Sequence, residues 1–346
     1  MRQIPMREPD TLLEVRDLAT HFFTDEGVVR AVDGASFDIP RGKTLCIVGE
    51  SGSGKSVMAR AVMGLTRAPG RVVGGSVLWC PDQDGQATDL ATLHGNSRAY
   101  RAIRGPEIGM IFQEPMAALS PVHTIGTQLA ESVRSRHAVS KRETRERGIE
   151  ALARVGIPEP AARYDQYGFE LSGGMRQRAM IAMALAAEPK LLIADEPTTA
   201  LDVTTQAGIL DLILDLQSET GMTVMFITHD LGVVAEIADS VAVMYLGRVV
   251  EHADVDTAFH APAHPYTEAL LRALPSIHAK TGERLAAIPG MVPHPFARPA
   301  GCAFHPRCHR FRPGLCETRE PENVPVAPGH GARCLLLKPA RKAAAE

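Results

Sequence analysis

The sequence predicts an α/β chain in four parts. These are an antiparallel β block at the N-terminus, a core of alternating strands and helices, a helical block inserted into that core, and a small irregular C-terminal extension containing cysteines. Three observations carry this expectation. Gly49-Glu50-Ser51-Gly52-Ser53-Gly54-Lys55-Ser56 stands between an apolar run and a helical pattern, where glycines let a backbone wrap a phosphate. Leu191–Ala194 and Val224–Thr228 are unbroken apolar runs, as strands covered on both faces of a parallel sheet require. Beyond about residue 260, proline, histidine and cysteine rise and regular periodicity fades.

In chain order, Leu12–Leu18, Val28–Ile39 and Lys43–Val48 read as strands, punctuated by Gly27, Gly34, Pro40 and Gly42. A helix is expected over Lys55–Leu65, then strands at Ser76–Cys80 and Ile108–Gln113. From Pro115 to about Phe169 the pattern is helical. Within it, Ser140-Lys141-Arg142-Glu143 fits a capping box, and Gly156 followed by Pro158 fits a helix stop after Val155. Gly174–Ala187 is a further helix, ended by Pro189. Met180 and Met183 lie on it at helical spacing and are expected in the core, whereas the mixed charges of Lys141–Arg147 suit a solvated face. Val241–Tyr245 and Val249–Glu251, joined across Leu246-Gly247-Arg248, read as a hairpin. The expected division is 10–258, with the helical insertion at about 115–170, followed by 259–338.

Composition excludes several classes. At 346 residues the chain can hold one large domain with an appendage, or two domains. A net charge of −3 provides no strongly basic face, so no nucleic-acid partner is expected. No apolar run reaches the ~18 residues of a membrane span, and Met1-Arg2-Gln3-Ile4-Pro5 lacks the apolar core of a signal peptide. The chain is therefore expected in the cytosol, meeting a membrane only through partners. Cys46 and Cys80 lie early, and Cys302, Cys308, Cys316 and Cys334 cluster late. In a reducing compartment such a cluster points to metal more than to disulfides.

The residues of the glycine-rich string have distinct tasks. Gly49, Gly52 and Gly54 let the backbone curl so that its N–H groups face a β-phosphate, with Glu50, Ser51 and Ser53 completing the loop. Lys55 supplies a point charge to the β- and γ-phosphates, and Ser56 offers a hydroxyl to Mg²⁺. Asp195 ends an apolar strand, where a carboxylate is costly unless it serves something, here Mg²⁺ through water. Leu171-Ser172-Gly173-Gly174 opens a helix whose hydroxyl, amides and dipole also suit a phosphate.

The order of these strings, Gly49–Ser56, then Leu171–Gly174, then Leu192-Ile193-Ala194-Asp195-Glu196-Pro197, then Thr228-His229-Asp230, resembles the ATP-binding cassette ATPases over roughly residues 10–255. The resemblance implies a P-loop (RecA-like) core that binds ATP with Mg²⁺. It makes Glu196 the general base, and has His229 contact the γ-phosphate and hold the attacking water. Gln113 resembles the glutamine that touches Mg²⁺ and water and joins the core to the helical block, and Phe22 matches the aromatic that stacks on adenine. Ser172, Gly173 and Gly174 would cap the nucleotide of a second subunit, not their own. Met175 stands where the family usually has glutamine. Asp202, in Ala200-Leu201-Asp202, resembles the loop through which paired subunits sense each other. Soluble ATPases of DNA repair or translation share these strings but usually add tandem cassettes or coiled-coil insertions, and a small-molecule phosphotransferase has no use for Leu-Ser-Gly-Gly.

The tail adds a second resemblance. His264-Pro265-Tyr266-Thr267-Glu268-Ala269-Leu270-Leu271, then Ile288-Pro289-Gly290, Pro293 and Gly301-Cys302-Ala303-Phe304-His305-Pro306-Arg307-Cys308, resembles the C-terminal extension of dipeptide and oligopeptide importer ATPases, a family that includes some nickel importers. It implies an ATPase at the cytoplasmic face of the membrane, working with a second and paralogous ATPase subunit, two membrane permeases and an extracytoplasmic solute-binding protein. Four thiolates suffice for a [4Fe–4S] cluster or a tetrahedral zinc. The resemblance favours the cluster. Zinc, with His305 or His309 able to substitute as a ligand, and no metal at all remain the alternatives, and spacings of five, seven and seventeen residues do not choose among them.

Overall fold

A computed structural model of the protein describes residues 10–82, 86–114, 118–199, 202–274 and 287–338. Strands β1 (Thr11–Thr24) and β2 (Gly27–Pro40) form a long antiparallel hairpin, paired from Thr11↔Pro40 to Thr24↔Gly27. Leu13, Val15, Leu18, Val32, Phe37 and Ile39 are buried. The chain then crosses to a second sheet through β3 (Thr44–Val48), in which all five residues are buried, and the glycine-rich loop leads into α1 (Lys55–Val62). Strand β4 (Gly70–Trp79) returns to pair antiparallel with β1, and β5 (Thr88–Asp89) completes a sheet of order β2-β1-β4-β5.

Helix α2 (Arg98–Ile103), capped by the Ser97 hydroxyl, precedes β6 (Ile108–Ile111). The strand ends two residues before Gln113, which therefore sits in the connection to the helical block. That block holds α3 (Ile125–Arg136), α4 (Lys141–Arg154) and α5 (Pro160–Tyr164). Glycine is needed inside two of these helices because Tyr164 fills the notch between them. A Cβ at Gly126 would lie 2.0 Å from that ring, and one at Gly148 2.5 Å. The capping box is half formed. The Ser140 hydroxyl accepts from the Glu143 amide, while the Glu143 carboxylate turns instead to Arg147 one turn along. Gly156 stops α4 at φ +71°. Residues 115–117, the start of the expected helical pattern, lie outside the described residues.

Helix α6 (Gly173–Leu185) leads to β7 (Leu191–Asp195), α7 (Val203–Thr220), β8 (Thr223–Ile227), α8 (Leu231–Ile237) and the hairpin β9 (Ser240–Tyr245)–β10 (Arg248–Asp254). Leu246 and Gly247 both have positive φ, as a two-residue hairpin turn matched to strand twist requires. Met180 is buried and Met183 packs against the core, as their spacing predicted.

The extension is more regular than its sequence suggests. After α9 (Val255–His260), which spans the expected boundary, it contains α10 (Pro265–Arg272) and the hairpin β11 (Val324–Ala327)–β12 (His330–Ala332). That hairpin adds to the edge of the core sheet through β12–β10 pairing at Glu251↔Ala332 and His252↔Gly331. The second sheet thus runs β11-β12-β10-β9-β3-β8-β7-β6, with β9, β3, β8, β7 and β6 parallel. Short segments with prolines hide such strands from any search for periodicity.

The two faces of this sheet feed separate cores. Cys46, Val48, Leu192, Ala194, Val224 and Phe226 pack toward the helical block and the tail, and Leu45, Ile47, Leu191, Ile193, Met225 and Ile227 toward α1 and the N-terminal sheet. Strand alternation on a doubly covered sheet produces this split. Among the described residues no helix is long and apolar enough to cross a membrane.

Candidate nucleotide site

Strands β3, β8, β7 and β6 run parallel in register, with Ile47 beside Ile227, Asp195 beside Ile227 and Ile111 beside Ala194. Their carboxyl ends therefore share one edge, where ligands of open α/β sheets bind. Gly49–Ser56 follows β3, Gln113 follows β6, Asp195 and Glu196 end β7, and His229 follows β8. Topology alone gathers strings that are far apart in sequence.

The loop after β3 is pressed against its neighbours. A Cβ at Gly49 would stand 2.2 Å from the Met244 carbonyl oxygen, and one at Gly54 2.2 Å from that of Ala31. Both also have positive φ, +152° and +99°, so two independent constraints select glycine. Lys55 is buried, and its ammonium donates to the Gly49 and Glu50 carbonyls at 2.7 and 3.2 Å. Burial lowers its pKa, with Glu196, Asp195 and Glu50 pulling the other way. The lysine thus closes the loop on itself and holds a desolvated positive charge where phosphate oxygens would compete for it.

The Ser56 hydroxyl donates to Asp195 Oδ1 at 2.8 Å, while Asp195 Oδ2 is buried without a hydrogen-bond partner. Burial raises the Asp195 pKa, opposed by the Ser56 hydrogen bond and by Arg60. An orphaned carboxylate oxygen beside a serine hydroxyl, in a site that penalises negative charge, suits a divalent cation. Glu196 sits just past the strand at φ +48°, an uncommon conformation for a side chain of this size. Its Oε2 gathers Gln113 Nε2 at 3.2 Å, Thr199 Oγ1 at 3.0 Å and His229 Nδ1 at 3.6 Å. Asp195 and Glu196, adjacent in sequence, consequently serve different neighbours.

Three expected groups lie elsewhere. Ser172 is exposed at the start of α6, accepting from the Met175 amide at 3.3 Å and so keeping its own proton to donate. Gly173 has open space where a Cβ would be, and Met175 packs against the core rather than reaching for solvent. Asp202 caps α7, accepting from the Thr205 amide and hydroxyl at 3.0 and 2.7 Å; residues 200 and 201 lie outside the described residues. Phe22 lines a cavity beside the phosphate loop, with Val57, Arg60, Leu65 and Gln113, and covers Gly70.

Sequence reasoning missed the part played by the tail. The cavity over the loop, about 700 Å³, is walled by Val28–Ala31, Lys55, Gln113 and Glu196, and also by His294, Phe296 and Arg298 of the extension. Gln177 of α6 donates to the Pro197 carbonyl, tying the helix that begins at Ser172 to the loop behind Glu196. Glu50 is held from the extension by Tyr266 and Arg307. The only sequence signal for this was the His-Pro-Tyr string, which labels a subfamily without saying what the tyrosine touches.

The four tail cysteines share one neighbourhood. Cys302 N–H donates to the Cys316 carbonyl at 2.8 Å, and burial, with the other three thiols adding, pushes the Cys302 thiol up to about 11. Among the described residues, no group of three or more His, Cys, Asp and Glu is placed to hold a metal ion. The two histidines offered as zinc ligands have other partners, His305 the Cys302 carbonyl at 3.0 Å and His309 the Glu268 carboxylate at 3.1 Å.

Comparison with known proteins agrees with this geometry. Residues 32–199 match the ABC transporter family, and residues 250–316 match the C-terminal region of oligopeptide/dipeptide transporters. The chain is 49% identical over 335 residues to a probable peptide ABC transporter ATP-binding protein of Sinorhizobium fredii, covering 96% of this chain and 97% of that protein. It is 48% identical over 323 residues to the dipeptide transport ATP-binding protein DppD of Escherichia coli, covering 93% and 96%. Among solved structures, the ATP-binding cassette MJ0796, a dimer in a post-hydrolysis state with ADP and Pi, aligns with a TM-score of 0.62 at 28% identity, over 70% of this chain and 98% of that one. The cassette cbiO1 of Clostridium perfringens aligns at 0.58 and 29%, over 73% and 92%. With a P-loop α/β core, an antiparallel N-terminal sheet and the matching C-terminal region, the chain belongs to the ATP-binding subunits of ABC transporters, in their oligopeptide/dipeptide branch.

Proposed function

We propose that the chain energises import of dipeptides or oligopeptides, hydrolysing ATP as one of two paired ATP-binding subunits beneath two membrane permeases that receive solute from an extracytoplasmic binding protein. The observation that carries this reading is a cavity over the glycine-rich loop walled by Lys55, Gln113 and Glu196 and also by residues of the peptide-transporter C-terminal region. The chain then works at the cytoplasmic face, held there by the permeases. Its partner ATPase is a paralogue, and residues 10–258 form the cassette to which 259–338 is added.

In this mechanism the loop amides and Lys55 bind the β- and γ-phosphates, and Ser56, Asp195 and Gln113 hold Mg²⁺, which supplies neutralising charge to the triphosphate. Glu196 accepts the proton of the attacking water, which Gln113 and His229 orient. Gln113 and Thr199 both donate to Glu196 Oε2, with the His229 ring 3.6 Å away, which orients the carboxylate for that role. Ser172 and Gly173 are exposed and Gly174 is half-buried beside them, so the start of α6 is open to a partner's nucleotide. The test is a pull-down of Glu196→Gln from native membranes in ATP. Two multi-span permeases and a solute-binding protein are expected, and recovery of only soluble repair or translation factors would overturn the transport role.

A structural [4Fe–4S] cluster at Cys302, Cys308, Cys316 and Cys334 belongs to the same proposal. Zn–S bonds of ~2.3 Å would draw four thiolates to within about 4 Å of one another, whereas a four-iron cubane spreads them farther apart. What supports the reading is the number of thiols and their mutual influence, the other three all acting on Cys302. It would pin the surrounding loops. Anaerobically purified protein should be brown with about four irons per chain, and colourless, iron-free protein would exclude the cluster.

A further inference from the structure

Glu50 is the first side chain of the phosphate loop, and both of its polar ends are held by the extension. Its carboxylate receives a two-pronged pair of hydrogen bonds from Arg307, Nη1 to Oε2 at 2.6 Å and Nη2 to Oε1 at 2.9 Å. Its backbone N–H donates to the Tyr266 hydroxyl at 2.9 Å. Neither partner is a loose surface group. The Arg307 side chain is 4% exposed, donates through Nε to the Pro289 carbonyl at 3.1 Å, and lies over the rings of Tyr245 and Phe304. Tyr266 is fully buried, with ring centroids 4.7 Å from Tyr245 and 5.2 Å from Phe304. Planar guanidinium–carboxylate pairing fixes direction as well as distance. Glu50 acts on Lys55 electrostatically, and its own carbonyl accepts from that lysine.

We propose that Arg307 and Tyr266 are positioning residues for ATP binding: through Glu50 they hold the phosphate loop open to nucleotide and cancel a negative charge that would otherwise repel the triphosphate. The extension thereby tunes nucleotide affinity in its own subunit. A free Glu50 carboxylate would stand beside the phosphates of ATP, and it could also swing onto Lys55 and occupy the charge that phosphate needs. With Arg307 in place the carboxylate is paired at both oxygens and fixed. This inference rests on the ATPase reading above and adds residues outside the cassette to it.

The experiment is a double-mutant cycle on the full-length chain, reading equilibrium binding of a fluorescent ATP analogue to the chain and KM and kcat for MgATP in the assembled transporter. Arg307→Gln is expected to raise KM about tenfold with kcat within about twofold, because the change acts on binding and not on the water attack. In a Glu50→Gln background the same Arg307→Gln change should cost less than about twofold, since no carboxylate remains to repel phosphate. Loosening of the tail by a missing arginine would instead cost the same in both backgrounds, and that result overturns the proposal. Tyr266→Phe keeps the buried ring, removes the acceptor for the Glu50 amide, and should raise KM about threefold. An unchanged KM in both Arg307→Gln and Tyr266→Phe also overturns it. Lys55→Ala and wild type serve as references, both assembled with the partner ATPase and the permeases: if wild type there neither binds the analogue nor hydrolyses ATP better than Lys55→Ala, the ATPase reading itself has failed.

Discussion

Acidification should weaken the attachment of the extension through one histidine. His264 is fully buried, its Nδ1 accepting from the Tyr266 amide at the start of α10 and its ring lying 5.9 Å from that of Phe304. Burial drives its pKa down from 6.5 to about 3. The unfolded chain binds the proton near the ordinary value and the folded chain does not, so this stabilisation is full above pH 6.5 and is lost as pH falls below it. Taking 6.5 and 3 as the two limits, the step from pH 7.5 to 5.5 removes about 1.4 kcal/mol. His264→Asn keeps a favourable helix-capping acceptor and cannot titrate. It should cost about 1–3 kcal/mol at every pH through lost packing and an imperfect hydrogen bond. The assay is urea unfolding followed by far-ultraviolet circular dichroism at pH 7.5, 6.5 and 5.5. His252, also buried with a lowered pKa, is common to both proteins and cancels in the difference. Wild type should lose about 1.4 kcal/mol more than the variant over this range. Parallel decline of the two proteins would refute the argument.

Three further outcomes are expected. Glu196→Gln should bind MgATP and lower phosphate release by about 100-fold or more, as loss of a general base does; wild-type turnover would remove Glu196 from that role. Asp195→Asn, which keeps a hydrogen-bonding oxygen for Ser56 but not the charge, should raise the Mg²⁺ concentration for half-maximal hydrolysis more than about tenfold, read by metal titration at saturating ATP. Gly54→Ala places a Cβ 2.2 Å from the Ala31 carbonyl at φ +99°, and should cost about 1–3 kcal/mol of stability by thermal unfolding while also weakening ATP binding.

That the candidate nucleotide-site residues meet at one sheet edge was legible because they are local strings at strand ends. Gly49–Ser56, Asp195, Glu196 and His229 each follow an apolar run that can only be a buried strand, and parallel register brings such ends to one edge without further information. Gln113 was placed at that edge for the same reason, although β6 ends sooner than its apolar run suggested. The tail was not legible in this way. Its contacts pair residues more than two hundred positions apart, Arg307 with Glu50 and Tyr266 with Glu50, and neither pair leaves a periodic trace. Strand β12 has three residues, too few to show alternation, and its role depends on the free edge of β10. The capping box illustrates a smaller gap. Ser140 behaves as its type dictates, but Glu143 had two possible partners, and Arg147 at helical spacing won.

The division at about residue 258 that composition suggests does not mark a place where the core is finished. Glu251 lies on β10 and is 1% exposed, and among the described residues the partners of its carboxylate are downstream of that point. It accepts from the Ala263 and His264 amides at 2.6 and 2.9 Å and is paired with His330 at 2.8 Å. Without the extension, a buried carboxylate would lose these partners or force β10 to open toward water, and β10 itself would become an unpaired edge. Tyr245, one strand over, would lose Tyr266 and Phe304 from its ring faces. A cassette that ended earlier would need a different residue at 251 and a different aromatic arrangement beneath the phosphate loop. The core sequence is therefore already written for its tail, and the contact that Arg307 makes with Glu50 is the same dependence carried into the nucleotide site.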